Sequence, residues 1–429
     1  MARDPISKCL SLDGSIRVPG GGTEWVPRLD FARSFGKSPL ALALPSQPAP
    51  VAALAAPGGF LWWYADLRNA SGDGAVLIWS FGLPFLPGYR RMRDATPAEH
   101  PALNMVVYRS GKPVFYHLQR FQSSDVEMSA DQTRFRFGPS KIRLSLLPAG
   151  GVGVYADLRL RESGSGAEAR VAFSVQGKAA VWCASDEGRE GHAGATEGGA
   201  VTASSDDRET GASSAHAWTP LLASGSGVCT LETPTLSLRI AGEAYLDRNH
   251  STKSLHALGI KRWDWGRVSA GGDTYAFYVL EGKANGARSS CVFRFSADGS
   301  VVHLRGWRAE LLSPRPSRYG VWVPRGVAIF EGKVAKLTLR RGAVVDQGPF
   351  YVRSFLEDCG DQGWRGTSEV IMPARIDLPW QAPLVRMRVQ PQPGKRPSPF
   401  LPLFQGSKPD RLRRLVRGAL NGLRWRPGA

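Results

Sequence analysis

The stretch GEAYLDRNHS, Gly242 to Ser251, places Tyr245, Asp247 and Asn249 at every second position. Successive side chains of a β-strand point to opposite faces, so these three share one face. A carboxyl group between a phenol and a carboxamide can hold or deliver a proton. About thirty residues upstream, His216 and Trp218 of HAWTP share a strand face in the same way. Downstream, KRWDWGRV puts Trp263 and Trp265 on one face with Asp264 between them. A third aromatic group, Trp62, Trp63, Tyr64 and Asp66, lies in FLWWYADL.

These residue types suit acid chemistry in an apolar cavity. If the Tyr245/Asp247/Asn249 face looks into an aromatic-walled space, burial raises the pKa of Asp247. A neutral carboxylic acid then persists near pH 7. Such a group can protonate an electron-rich double bond, and the faces of Trp and Tyr stabilise the resulting cation. Trp62, Trp63, Tyr64, Trp263 and Trp265 are the candidate walls, and Asn249 a candidate substrate contact. Each group also has a plainer reading. A histidine beside a tryptophan packs, a Tyr-x-Asp-x-Asn strand faces solvent, and Trp62 and Trp63 fill a core.

Other chemistries lack their motifs. There is no P-loop, no GxGxxG opening a helix, no GxSxG elbow and no HExxH. No Cys/His cluster has metal spacing, so neither a metal nor a cofactor is expected. The five cysteines, widely spaced and without CxxC, argue for a reducing compartment and against a disulfide framework. The net charge of +18 invites an anionic partner, nucleic acid or an anionic membrane surface. No nucleic-acid-binding signature accompanies that charge, so no nucleic-acid partner is expected. The first residues, MARDPISKCLSLDG, lack the apolar core of a secretory signal, and no run is long enough for a membrane helix.

The elements that must position these residues read as strands. Apolar runs broken by Gly, Pro, Asn and Ser fill the chain from Gly59 to Arg388, which predicts an all-β architecture. Residues 1–55 read as an irregular leader, 56–220 and 221–400 as two β domains. An acidic, low-complexity loop at 185–214 is read as disordered. Leu412, Leu415, Val416, Ala419, Leu420 and Leu423 recur at helical spacing among arginines. That pattern predicts a basic amphipathic helix over 408–426, suited to a membrane surface or to the protein's own sheet.

The order of the motifs is informative in itself. GGFLWWYADL, HPALNMVVYRSG, FGPSKIRLS, HAWTPL, GEAYLDRN, RWDWGR and GTSEVIMPARIDLPWQAPLVRMR follow one another from Gly58 to Arg388. This series resembles the carotenoid 1,2-hydratase, or hydroxyneurosporene synthase, family. The resemblance implies two lipocalin-like β domains and cofactor-free addition of water to a terminal C=C of an acyclic carotenoid. It also implies that His216, Trp218, Tyr245 and Asp247 are catalytic. Asp247 would be the acid, His216 would orient or deprotonate water, and Trp218 and Tyr245 would stabilise a tertiary cation. A polyene substrate implies work at the cytoplasmic face of the inner membrane without crossing it. Two other readings stay open: a cyclase or pericyclase on a polyene or terpenoid, and a carrier that binds a hydrophobic ligand without catalysis.

Overall fold

The computed structural model describes residues 40–42, 48–92, 96–147, 150–161, 167–183, 216–283, 286, 288–317 and 319–378. Strands dominate. The first sheet is built from β1 (Leu40–Leu42), β2 (Phe60–Arg68), β3 (Gly74–Phe81), β4 (Pro101–Arg109) and β5 (Lys112–Arg120). It continues with β6 (Val126–Met128), β7 (Arg134–Phe137), β8 (Ser140–Leu147), β9 (Gly151–Arg161) and β10 (Glu168–Lys178). The short β11 (Val181–Trp182) belongs elsewhere, and β12 (His216–Thr233) with β13 (Leu236–Ser251) completes the sheet. Its order is β5-β4-β3-β2-β13-β12-β10-β9-β8-β7-β6, with β1 beside β12.

The second sheet contains β14 (Ile260–Ala270), β15 (Asp273–Gly282), β16 (Arg288–Phe295), β17 (Ser300–His303) and β18 (Trp307–Leu312). After the small hairpin of β19 (Arg315–Pro316) and β20 (Trp322–Val323) come β21 (Gly326–Glu331), β22 (Val334–Gln347), β23 (Tyr351–Asp358) and β24 (Arg365–Ile371). Its order is β11-β17-β16-β15-β14-β24-β23-β22-β21-β18. The all-β expectation holds.

The division between the sheets differs from the one expected near residue 220. The β12–β13 hairpin carries on the first sheet to Ser251, because β13 pairs along its second half with β2. β11 makes the opposite move. It lies between β10 and β12 in sequence but pairs in parallel with β17 of the second sheet. The leader is also less irregular than expected. β1 pairs in parallel with the start of β12, setting Leu40 beside His216, and a one-turn helix α1 covers Ala52–Ala55. The acidic loop and the basic segment at 408–426 lie outside the described residues. Among the described residues, no helix is long and apolar enough to cross a membrane. Among the described residues no two cysteines form a disulfide.

Among the described residues the three largest apolar cores follow from the two-residue alternation. One face of the first sheet buries Leu61, Trp63, Leu77, Trp79 and their neighbours. One face of the second buries Val268, Phe277, Val292 and Ile329. The third core is shared by both sheets. It holds Trp62, Tyr64, Trp218 and Tyr245 from the first, and Trp263, Trp265, Tyr278 and Phe293 from the second.

A charged node joins the sheets. Asp66 of β2 is 1% exposed, and Arg267 of β14 and Arg353 of β23 both pair with it, Arg353 at 2.9 Å. Tyr64 Oη donates a third bond to the same carboxylate at 2.7 Å. Burial alone would raise the pKa of Asp66, but the two guanidinium groups hold it below the ordinary carboxylate range.

Buried histidines set the acid limit of the fold. Burial pushes His117 and His216 down to about 4 and His250 down to about 3. The unfolded chain takes up these protons near pH 6.5, while the folded chain does not until about pH 4 or below. Stability is therefore lost as pH falls through that window, at about 1.4 kcal/mol per pH unit for each histidine. A melting series should show Tm falling steeply between about pH 6 and pH 4; a flat profile there would contradict the buried neutral histidines.

Candidate active site

A cavity of about 150 Å³ lies between the sheets within the shared core. Strand register explains its walls. On the first sheet Tyr64 stands opposite Asp247 and Trp62 opposite Asn249. On the second, Tyr278, Trp265, Glu369 and Arg353 form one cross-strand row. Trp263, Ile371 and Tyr351 form the next. All of these residues line the cavity, and Phe85 of the loop after β3 closes one side.

Behind Asp247 runs a closed chain of hydrogen bonds. Tyr245 Oη donates to Asp247 Oδ2 at 2.9 Å, and Trp218 Nε1 donates to the same oxygen at 3.0 Å. Trp218 Nε1 also lies 3.2 Å from Tyr245 Oη. Asn249 Nδ2 donates to Asp247 Oδ1 at 2.9 Å. The Asn249 amide has its oxygen left for His216, whose Nε2 lies 2.8 Å away. Nε2 therefore carries the proton, and His216 is the neutral Nε2–H tautomer. The ring is wedged edge-on against Trp263 with centroids 4.4 Å apart.

Burial dominates the electrostatics. It raises Asp247 to about 7 even though Tyr245 and Trp218 donate to its carboxyl. The phenols of Tyr64, Tyr245 and Tyr278 are pushed well above their ordinary value by burial and stay neutral. Asp247 is thus a carboxyl poised to hold or release a proton near neutrality. Aromatic faces surround it: Tyr245 packs 5.6 Å from Trp265, and Trp265 packs 6.2 Å from Tyr64.

Most of the residues picked from sequence meet here, in two layers. Asp247 and Asn249 open on the cavity, as do Trp62, Tyr64, Trp263 and Trp265. His216, Trp218 and Tyr245 stand behind, fully buried and outside the lining, and each hydrogen-bonds to Asp247 or Asn249. The resemblance has His216 orient or deprotonate water, but it is outside the cavity lining, and Asn249 stands between it and the Asp247 carboxyl. Trp63 was expected among the substrate contacts. It lies on the opposite face of β2, stacked on Trp79 at 5.7 Å in the first sheet's own core. Asp264 likewise turns away from Trp263 and Trp265 and pairs with Arg262 at 2.7 Å.

Sequence reading missed Glu369, Arg353, Asp346 and Tyr351, which form a polar end of the cavity. The available signal was a single charge inside an apolar strand, Glu369 in TSEVI and Arg353 in YVRSF. No group of His, Cys, Asp and Glu among the described residues is arranged to hold a metal ion.

An all-β chain with a buried carboxyl raised to about 7 in an aromatic cavity has the arrangement an acid acting on an apolar molecule needs, and comparison with known proteins bears on it. Residues 197–397 match the family described as carotenoid hydratase CrtC. An acyclic carotenoid 1,2-hydratase from Thiocapsa roseopersicina is 26% identical over 311 residues, 70% of this chain and 65% of that protein. The match thus spans just under two thirds of that relative's length. An acyclic carotenoid 1,2-hydratase from Rubrivivax gelatinosus is 26% identical over 357 residues, 79% of this chain and 75% of that protein. Among solved structures, an AttH-type protein from Nitrosomonas europaea aligns with a TM-score of 0.47 at 12% identity, over 73% of this chain and 92% of that one. The chain is thus similar to carotenoid 1,2-hydratases, over residues 197–397 by the family match and over most of its length at 26% identity to the two relatives.

Proposed function

We propose that the protein adds water across the terminal C=C of an acyclic carotenoid or a closely related isoprenoid. The observation that carries this reading is Asp247, a carboxyl raised to about 7 by burial and opening on an aromatic cavity. In its neutral form it donates a proton to the less substituted alkene carbon. The positive charge then develops on the branched carbon, where the faces of Trp62, Tyr64 and Trp265 lower its energy. Water adds to that carbon and gives up a proton, and a further proton returns to Asp247. The balance is one water consumed, with no electron transfer, so these side chains supply the whole chemistry without a cofactor.

Tyr245 and Trp218 hold Asp247 Oδ2, while the His216–Asn249 pair holds Oδ1. These are positioning residues. They stabilise the carboxylate left after proton transfer, which keeps the step reversible and the acid oriented.

The cavity volume of about 150 Å³ is below the roughly 300–1,000 Å³ of pockets that enclose a drug-sized ligand. It suits the branched end of a polyene, with the remaining chain lying in the opening. Such a substrate resides in the bilayer, so the protein acts as a peripheral enzyme at the cytoplasmic membrane face. The arginine-rich segment at 408–426 and the +18 charge support attraction to anionic lipid.

Expression in a lycopene-producing host grown in ¹⁸O-labelled water tests the reading. The expected pigment is heavier than lycopene by one labelled water. A product isomeric with lycopene would instead indicate cyclisation, and unchanged pigment would leave only a binding role.

A further inference from the structure

Hydration needs a place for water, and the Asp247 side of the cavity does not supply one. Three donors already point at the Asp247 carboxyl. The opposite wall, on the second sheet, is built differently. Glu369 Oε1 and Arg353 Nε are both buried, and neither has a hydrogen-bond partner among the described residues. They stand 4.0 Å apart. That separation is too long for a direct hydrogen bond and fits one water bridging donor and acceptor. An unsatisfied buried pair of this kind costs free energy unless something polar occupies it.

The surroundings fix the pair rigidly. Arg353 Nη2 is anchored on Asp66 Oδ2 at 2.9 Å, and its guanidinium lies over the rings of Tyr64 and Tyr108 at 5.7 and 5.8 Å. Tyr351, also lining the cavity, hydrogen-bonds the Glu369 carboxyl. Burial raises Glu369 above the ordinary glutamate range, opposed by Arg353. Glu369 faces Trp265 in register, and Trp265 contacts both Tyr64 and Tyr245. The two carboxyls thus enter one cavity from different sheets, with the aromatic walls between them.

Resting on the hydratase reading above, we propose that Glu369 and Arg353 hold the attacking water, and that Glu369 takes its proton. Arg353 Nε–H donates to the water oxygen and the water donates to Glu369 Oε1, leaving a lone pair free toward the cavity. Asp247 delivers its proton to the alkene and becomes a carboxylate. The water oxygen bonds to the cationic carbon as one O–H bond breaks, and that proton passes to Glu369. Proton return from Glu369 to Asp247, through solvent, resets the site.

Deuterium exchange separates this proposal from the reading beneath it. The full-length protein is incubated with lycopene in detergent micelles in D2O, and hydration and deuterium uptake into recovered lycopene are both followed. Glu369→Gln is expected to lose hydration by about 100-fold, the usual size of a general-base effect. It should retain deuterium uptake within a few-fold of wild type, because Asp247 still protonates the alkene and the uncaptured cation collapses back. Asp247→Asn should lose both. Loss of both signals in folded Glu369→Gln, or retention of hydration, overturns the water site. A wild-type protein active in both assays beside an Asp247→Asn variant of equal activity overturns the acid assignment instead, and a wild type inactive in both removes the hydratase reading and the water site with it.

Discussion

Replacing Asp247 by Asn should abolish turnover and at the same time strengthen the fold at neutral and alkaline pH. Loss of the proton donor is expected to cost on the order of 100-fold or more in rate. The stability effect follows from linkage. Folding raises the carboxyl from its ordinary value near 3.8 to about 7. Between those values the folded state holds a proton that the unfolded state has released, so stability falls as pH rises through the window. The full difference of about 3 pH units corresponds to roughly 4 kcal/mol, reached near pH 7 and constant above it. An asparagine is never charged. Its amide can also re-pair in place, because a flip of Asn249 and a tautomer shift of His216 restore every donor–acceptor match. The Tm of Asp247→Asn relative to wild type should therefore rise between about pH 4 and pH 7 and level off above. A variant that is equally active, or whose relative Tm falls with pH, would remove Asp247 as the neutral acid.

The second large effect is expected at Asp66, outside the chemistry. Asp66→Asn leaves Arg267 and Arg353 buried without their shared counter-charge. Breaking a buried ion pair from one side costs about 3–5 kcal/mol. Glu369, 4.0 Å from Arg353, compensates part of one charge only. Asp66 has a depressed folded pKa, so its contribution is present above its unfolded pKa and is lost as pH falls below about 4. Urea unfolding at pH 7.5 should show the loss in full, and the gap to wild type should narrow only below about pH 4. A difference under about 1 kcal/mol at pH 7.5 would mean that the node is solvated rather than buried.

Some of this site was legible in the chain and some was not, for definite reasons. Two-residue alternation groups Tyr245 with Asp247 and Asn249, and Trp263 with Trp265, and it is a local property of any strand. The same rule separates Trp63 from Trp62 and Tyr64, since neighbours on a strand cannot share a face. Treating the Trp-Trp doublet as one wall missed that. Which polar face turns inward depends on the partner strand. Asp247 is buried because β13 pairs with β2, nearly two hundred residues earlier, and no local signal carries that pairing. Glu369 and Arg353 are harder still, for each is a lone charge whose meaning appears only when β14, β24 and β23 come into register. The boundary after Ser251 was hidden for the same reason, as a long hairpin reads alike in either sheet.

The placement of β11 bears on how the chain can be divided. Val181 and Trp182 arise within the first half of the sequence yet form the edge of the second sheet, against β17. Trp182 also packs on Trp218 and Phe293, one from each sheet. A cut between Ser251 and Ile260 would strip β17 of its neighbour and bare a row of unpaired N–H and C=O groups, an invitation to self-association. The halves are clasped rather than strung in series. Closing that clasp joins residues more than a hundred positions apart, a high-contact-order step that must await long-range pairing. The cavity, whose walls come from both sheets, can be complete only once the sheets have met.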